Sequence, residues 1–248
     1  MERRDWTREE RVRALSLYCR LPFGKMHKGN PEVKALAEVM GRTPSAVSMK
    51  LGNYASLDPA MKGRGIKGMA NSSSADREIW AEFYGRWEEL SRLAAEGLEV
   101  AAAVEQGIEA PSGPSEVIRE VAVRRGQAFF RAAVLAAHES TCCITGIKCE
   151  ALLRASHIVP WAEDEKLRLD PHNGLCLNAL HDAAFDRGLI TLGERFELWV
   201  SRRVQDEVPR SVYREMFESR EGVEVRVPER YRPRGEYLEW HRERVFVG

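Results

Sequence analysis

The amino-acid sequence predicts a two-domain α+β protein. A helical, helix-turn-helix-like domain is expected over residues 1–70 and a helical connector over 71–114. A C-terminal domain over 115–248 is expected to be built on a strand–turn–strand–helix core at 143–192. Three observations predict this. The first 54 residues repeat apolar side chains at helical spacing behind capping residues. Residues 151–188 change from two short apolar runs to a helical pattern. Charge is also uneven. The formal net charge is zero, yet residues 1–70 hold 14 Lys/Arg against 7 Asp/Glu, residues 71–115 hold 3 against 9, and the remainder holds 21 against 22.

In the first region, Thr7 with Glu10 makes a capping-box pattern that opens a helix with Val12, Leu15 and Cys19 on one side. Asn30-Pro31 starts a second helix, with Val33, Leu36, Ala37 and Met40 at core spacing. Gly41-Arg42 breaks it, and Thr43-Pro44 starts a third that buries Val47, Leu51 and Tyr54. Two short helices about a glycine turn suggest helix-turn-helix, leaving Ser45, Ser48, Met49 and Gly52 facing outward. Residues 44–54 would then be a recognition helix. Arg42, Ser45, Ser48, Lys50, Lys62, Arg64 and Lys67 are the candidate DNA contacts. The competing reading is a three-helix protein-interaction domain whose charges are merely solvated.

Beyond it, Asn71–Ser74 breaks the pattern and caps a helix whose Ile79, Phe83, Trp87 and Leu90 form one stripe beside Trp80. Its acidic flanks favour a packing surface over a base-stacking platform. Gly107, Pro111, Gly113 and Pro114 put the domain boundary near 105–114. Helix restarts at Ser115, and Gln127–His138, with Phe129, Phe130, Val134 and Leu135, is expected to pack beneath the core unit. In the tail, Phe196–Val200, Val223–Val227 and Trp240–Val247 read as strands or a final helix between Arg-rich turns.

The core unit reads most clearly. Ala151–Val159 is a short, largely apolar run that stops at Pro160, as a strand ending in a loop does. Residues 161–173 are polar, with turn formers Asp170-Pro171 and Asn173-Gly174. Gly174–Leu177 is a second apolar run. From Asn178 the spacing is helical, with Leu180, Ala184 and Phe185 expected inward and His181 on one edge. His157, Asn173 and His181, spaced 16 and 8 residues apart, then fall on a strand, a turn and a helix.

The segment carries Cys143, Thr145, Gly146, Ala155, His157, Ile158, Pro160, Trp161, Asn173, Gly174, Leu175, Leu177, His181, Asp182, Phe185, Asp186 and Gly188 in the pattern C-x-T-G, A-x-H-I-x-P-W, N-G-L-x-L, H-D-x-x-F-D-x-G. In this it resembles the HNH endonuclease family, in a restriction-type subgroup. Weaker similarity extends to W-T-R-E-E near the start and L-E-W-H-R-E near the end. The resemblance implies a ββα-metal fold and metal-dependent hydrolysis of a nucleic-acid phosphodiester. It makes His157 the general base and His181 the metal ligand. Asn173, having no useful pKa, is given a geometric job, holding the His157 loop or orienting its imidazole.

One departure bears on the metal. The family commonly has Asp or His immediately before the base, and this chain has Ser156. Asp186 is the candidate replacement and Asp182 the alternative; carboxylate, imidazole and water together suit Mg²⁺ or Mn²⁺. The competing reading of Asp182 is a helix-start carboxylate, and of Asp186 a surface pair with Arg187. His138, His172 and His241 read as filler, with a phosphate contact as the alternative for His172. Five cysteines without a C-x-x-C pair speak against structural zinc.

Hydrophobic content of 44% and charged content of 31% are those of an ordinary soluble protein. The absence of a long apolar run and of a signal peptide, with an odd cysteine count, leads to an expected cytoplasmic protein with reduced thiols and no membrane partner. The expected partner is double-stranded DNA, the expected role restriction or phage defence, and the expected assembly a homodimer. A catalytically weak DNA-binding regulator is the alternative, on the ground of Ser156.

Overall fold

The computed structural model describes residues 4–63, 65, 72–95 and 115–248, the side chains of the last span from residue 122. Two compact units divide it, Met1–Phe129 and Phe130–Gly248. The Gly/Pro-rich stretch at 105–114, and with it the expected boundary, lies outside the described residues, as do Arg64 and Lys67.

The first unit begins with α1 (Arg8–Arg20), opened by Thr7, whose side chain accepts from the Glu10 amide while Glu10 reaches back to the Thr7 amide. Asn30 caps α2 (Pro31–Val39) and Thr43 caps α3 (Pro44–Leu57), each with proline in the first turn, where its missing N–H costs nothing. α4 (Pro59–Gly63) follows. Val12, Leu15, Cys19, Val33, Ala37, Met40, Val47, Leu51 and Tyr54 are buried, as their spacing requires. Ser73 and Asp76 form a second capping box at α5 (Ser74–Phe83), and α6 begins at 87 and is described to 95. Ile79, Phe83, Trp87 and Leu90 are buried, so the stripe is packing surface. Trp80 packs edge-on to Tyr18 and stacks with Tyr54 and Tyr84. The helix expected in a connector is thereby part of the first unit.

The second unit takes up α7 (Ser115–Ala137) from Phe130 onward. β1 (Leu153–His157) pairs antiparallel with β2 (Gly174–Asn178), and α8 (Ala179–Asp186) follows at once, giving the expected strand–turn–strand–helix order. Phe130 and Val134 pack against Leu153 and Cys176, so α7 lies beneath this sheet as expected. Gly174 permits the fit: a Cβ there would lie 2.4 Å from Val134 Cγ2. A hairpin of β3 (Ile190–Leu192) and β4 (Leu198–Val200) covers the other side with Phe185, Phe217, Tyr237 and Leu238. Of the tail segments expected as strands, 198–200 is one. Residues 223–227 contribute an isolated bridge, Glu197 with Glu224. α9 (Arg202–Glu207), α10 (Arg210–Met216) and α11 (Gly235–Arg244) complete the chain. Gly188 is obligatory where the chain leaves α8. Its φ is +67°, and a Cβ would meet the Val245 carbonyl oxygen at 1.9 Å.

Candidate active site

The site grows from the junction of β1, β2 and α8. Register places His157 opposite Gly174 and Ser156 opposite Leu175. The loop between the strands is locked by Asn173, which is fully buried. Its Oδ1 accepts from the Val159 amide at 2.8 Å, and its Nδ2 donates to the carbonyls of Val159 at 3.0 Å and Leu167 at 3.3 Å. An amide side chain is needed here because one group must both accept and donate.

His157 is half-buried. Its Nε2 lies 2.9 Å from the Arg168 carbonyl oxygen. A carbonyl only accepts, so Nε2 carries the hydrogen and Nδ1 keeps the lone pair. Phe130 stacks flat on the ring, centroids 3.8 Å apart at 7°, and Trp161 meets it edge-on at 5.6 Å. Burial lowers the imidazole pKa; the Arg168 carbonyl and the Asp182 charge oppose the shift without cancelling it. The ring is therefore neutral at physiological pH, the form that accepts a proton.

Asn178 ends β2 and caps α8. Its Oδ1 accepts from the amides of Leu180 and His181, each at 3.0 Å. This start sets the helix phase, and the phase differs from the expected one. Leu180 is 44% exposed and His181 is fully buried. His181 Nε2 lies 2.9 Å from the Met216 carbonyl, so it donates there, and Nδ1 accepts from Asn178 Nδ2 at 2.9 Å. Both ring nitrogens are engaged within the protein, and burial lowers the pKa. His181 therefore does not stand at the helix edge as expected; in this geometry it ties α8 to α10.

The polar face of α8 carries Asp182 and Asp186, one turn apart and hence neighbours. Asp182 is half-buried, Asp186 more exposed. Both pKa values are raised: burial leads in each, and the Asp182 charge adds to it at Asp186. The Ser156 hydroxyl draws both back down, and His157 and Arg154 act likewise on Asp182. Ser156, Asp182, Asp186 and His157 thus share one electrostatic neighbourhood. Ser156 Oγ is buried without a hydrogen-bond partner of ordinary length.

Among the described residues no group of three or more His, Cys, Asp or Glu is arranged to hold a metal ion. Cys142, Cys143 and Cys176 are buried free thiols, and Cys149 is exposed. Burial holds the Cys176 thiol up at about 12. Asp182, Asp186 and Ser156 act on one another beside His157. Two carboxylates whose charges oppose one another, beside an unsatisfied buried hydroxyl, fit a hard divalent cation that keeps most of its waters.

In the first unit the candidate nucleic-acid contacts divide. Lys50 is buried, its Nζ 2.7 and 2.9 Å from the Asp76 carboxylate oxygens. Arg42 bonds Glu10 at 2.8 Å and lies over Trp6 at 4.2 Å. Neither guanidinium nor ammonium faces outward as expected, because each neutralises a buried carboxylate. Ser48 donates to the Met26 carbonyl at 2.7 Å, while Ser45 and Lys62 are exposed. Met49 is exposed too. Exposed cations that charge counting did not single out, Lys25, Lys28 and Lys34, flank the turn between α1 and α2.

The antiparallel pair followed at once by a helix, with an imidazole, a locking amide and two carboxylates at its junction, defines a ββα nuclease-like unit. Residues 142–193 match the family model described as HNH endonuclease, which spans about a fifth of the chain and coincides with this unit. This likeness implies nuclease activity on a nucleic acid. No curated protein matches the chain. No helix among the described residues is long and apolar enough to cross a membrane.

Proposed function

We propose that the chain is a divalent-cation-dependent endonuclease acting on double-stranded DNA, of restriction or defence type. The observation that carries this is the meeting of His157, its tautomer set by the Arg168 carbonyl, with Ser156, Asp182 and Asp186 at one end of the β1–α8 junction. His157 Nδ1 is the atom that takes the proton of the attacking water. Asn173 holds the loop that supplies the Arg168 carbonyl, so it acts on the base through geometry. Asp182 and Asp186, with the Ser156 hydroxyl, would hold Mg²⁺ or Mn²⁺. A bound cation would supply charge neutralisation at the phosphorane-like transition state and at the leaving oxygen. His181 serves as the internal strut that presents these two carboxylates.

The first unit is the DNA-holding module in this reading, in a helix-turn-helix manner with α3 as the reading helix. Its contacts are drawn from the outward residues Ser45, Met49, Lys62, Lys25 and Lys28, together with Arg64 and Lys67. A double-strand break needs two such sites and hence a symmetric homodimer. The decisive experiment is incubation of methylated and unmethylated plasmid with the full chain and Mg²⁺, Mn²⁺ or EDTA, beside His157→Ala. Cation-dependent cleavage lost in the variant supports the reading. DNA binding without cleavage under any cation would leave the regulator reading instead.

A further inference from the structure

His172 stands immediately before the locking Asn173 and is not used by the chemistry above. It is not idle filler. Its Nδ1 lies 3.0 Å from Asp170 Oδ1, and the same oxygen accepts from the His172 amide at 3.0 Å. Asp170 is buried and bound from the far end of the chain: Tyr237 OH donates to its Oδ2 at 3.1 Å, and Arg234 Nη2 lies 4.0 Å from that oxygen. Tyr231, held at φ +56°, meets the imidazole edge-to-face at 5.5 Å. The ring is thus fixed on one nitrogen and one face. Its other nitrogen, Nε2, makes no hydrogen bond among the described residues, and the side chain is 23% exposed.

Arg234 is the second half of the feature. Its side chain is 51% exposed, and its two ion contacts, 4.0 Å to Asp170 and 3.5 Å to Glu236, lie at the long end of the range. A guanidinium has five donors, so most of its capacity remains for an outside anion. Position supplies the rest. Gly174 pairs with His157, and His172 is two residues upstream. Chain geometry then holds the two histidine Cα atoms within about 13 Å of each other. At about 3.4 Å of rise per nucleotide in a duplex strand, that is within a few nucleotides of a phosphate attacked beside His157.

We infer that His172 and Arg234, braced by Asp170, form a contact for a backbone phosphodiester of the substrate strand next to the cleaved bond. This rests on the nuclease reading only for the identity of the strand. With Nδ1 turned to Asp170, the His172 ring presents its Nε2 edge to a phosphate oxygen beside the Arg234 guanidinium. A buried aspartate, a tyrosine hydroxyl and a strained tyrosine backbone hold the imidazole more rigidly than a solvated surface histidine is held.

The test is duplex binding by the full chain in EDTA, so that cleavage plays no part, measured across a salt series. The double variant His172→Ala/Arg234→Ala is expected to weaken binding and to reduce the slope of log K on log salt by about 0.9, the value of one released counterion, and each single alanine variant to weaken binding. Arg234→Lys is expected to keep the slope, and His172→Gln to keep the fold while weakening binding. An unchanged slope in the double variant would overturn the inference, as would a loss of melting temperature in His172→Ala with no change in binding. The His172 imidazole resonance should move on adding duplex. If it moved with the same concentration of inorganic phosphate and not with duplex, the site would be one for a free anion and the inference would fall. Cleavage failing in Mg²⁺ while these slopes still change would sink the nuclease reading alone.

Discussion

The two units solve the burial of polar side chains in opposite ways. The first buries ions against carboxylates: Lys50 and Arg11 on Asp76, and Arg42 on Glu10, with Trp6 beneath both Arg42 and Lys50. The second buries neutral imidazoles. His241 lies between Thr191 Oγ1 at 2.9 Å and the Phe185 carbonyl at 3.1 Å and stacks on Phe185, while His181 and His138 are enclosed without a carboxylate. Part of the charge of the N-terminal region is therefore internal. The first unit sets cations against its buried carboxylates, and the second encloses three imidazoles besides the Asp170 cluster.

The largest break in this contrast is Asp76→Ala. It leaves the buried Lys50 ammonium and the Arg11 guanidinium uncompensated, and removing one partner of a buried pair costs about 3–5 kcal/mol. Calorimetry should show the first unit's transition falling and the second unit's unmoved. A single shared transition that falls as a whole would show that the units do not melt independently.

Acidification should act on the other unit. Burial holds His138 and His241 at about 4, against an unfolded value near 6.5. Between those values the unfolded chain binds the extra protons, so stability is present above about 6.5 and is lost as pH falls toward 4. By pH 5 the loss is about 2 kcal/mol for each histidine. In the first unit, burial pushes Asp76 up, but the Lys50 bond and the Ser73 cap bring it net below the usual range. The Asp76 contribution is kept until pH falls through that depressed value. Urea titrations at pH 7 and 5 that moved only the first unit would reverse the comparison.

Next in size is the proposed catalytic base. His157→Ala should slow cleavage at least about a hundredfold, which is about 2.7 kcal/mol, while duplex binding persists. Cleavage near the parent rate would remove His157 from the mechanism. The smallest effect sharpens the cation reading. The raised pKa values of Asp182 and Asp186 mean that the fold favours their neutral forms, so ionised carboxylates there cost stability above those values. Asp182→Asn or Asp186→Asn should raise the melting temperature slightly at pH 7 in EDTA and abolish the stabilisation gained on adding Mn²⁺. A lower melting temperature in EDTA, with Mn²⁺ stabilisation retained, would return both residues to structural roles.

Much of this was legible without coordinates. Helix starts at Thr7, Asn30, Thr43 and Ser73 fall where side chains cap amides two or three residues on. The strand–turn–strand–helix order follows from turn formers and apolar runs of the right length, whereas a geometric job for Asn173 was implied by the resemblance. Such signals act over a few residues, so they survive in the chain itself. The signal for Asp182 was also present: it stands one helical turn before Asp186, whereas His181 stands about 140° away from it.

Periodicity determines spacing but not which face turns inward. That His181 is buried and Leu180 exposed was decided by the Met216 carbonyl, contributed from α10, 35 residues downstream. That Lys50 and Arg42 turn to carboxylates was decided by Asp76 and Glu10, 26 and 32 residues away. His172 acquired its brace from Tyr237 and Arg234 at the end of the chain. A charged or imidazole side chain costs several kcal/mol to bury alone and far less against a partner. Its role is therefore set by the group that folding brings opposite it, which tertiary structure alone supplies.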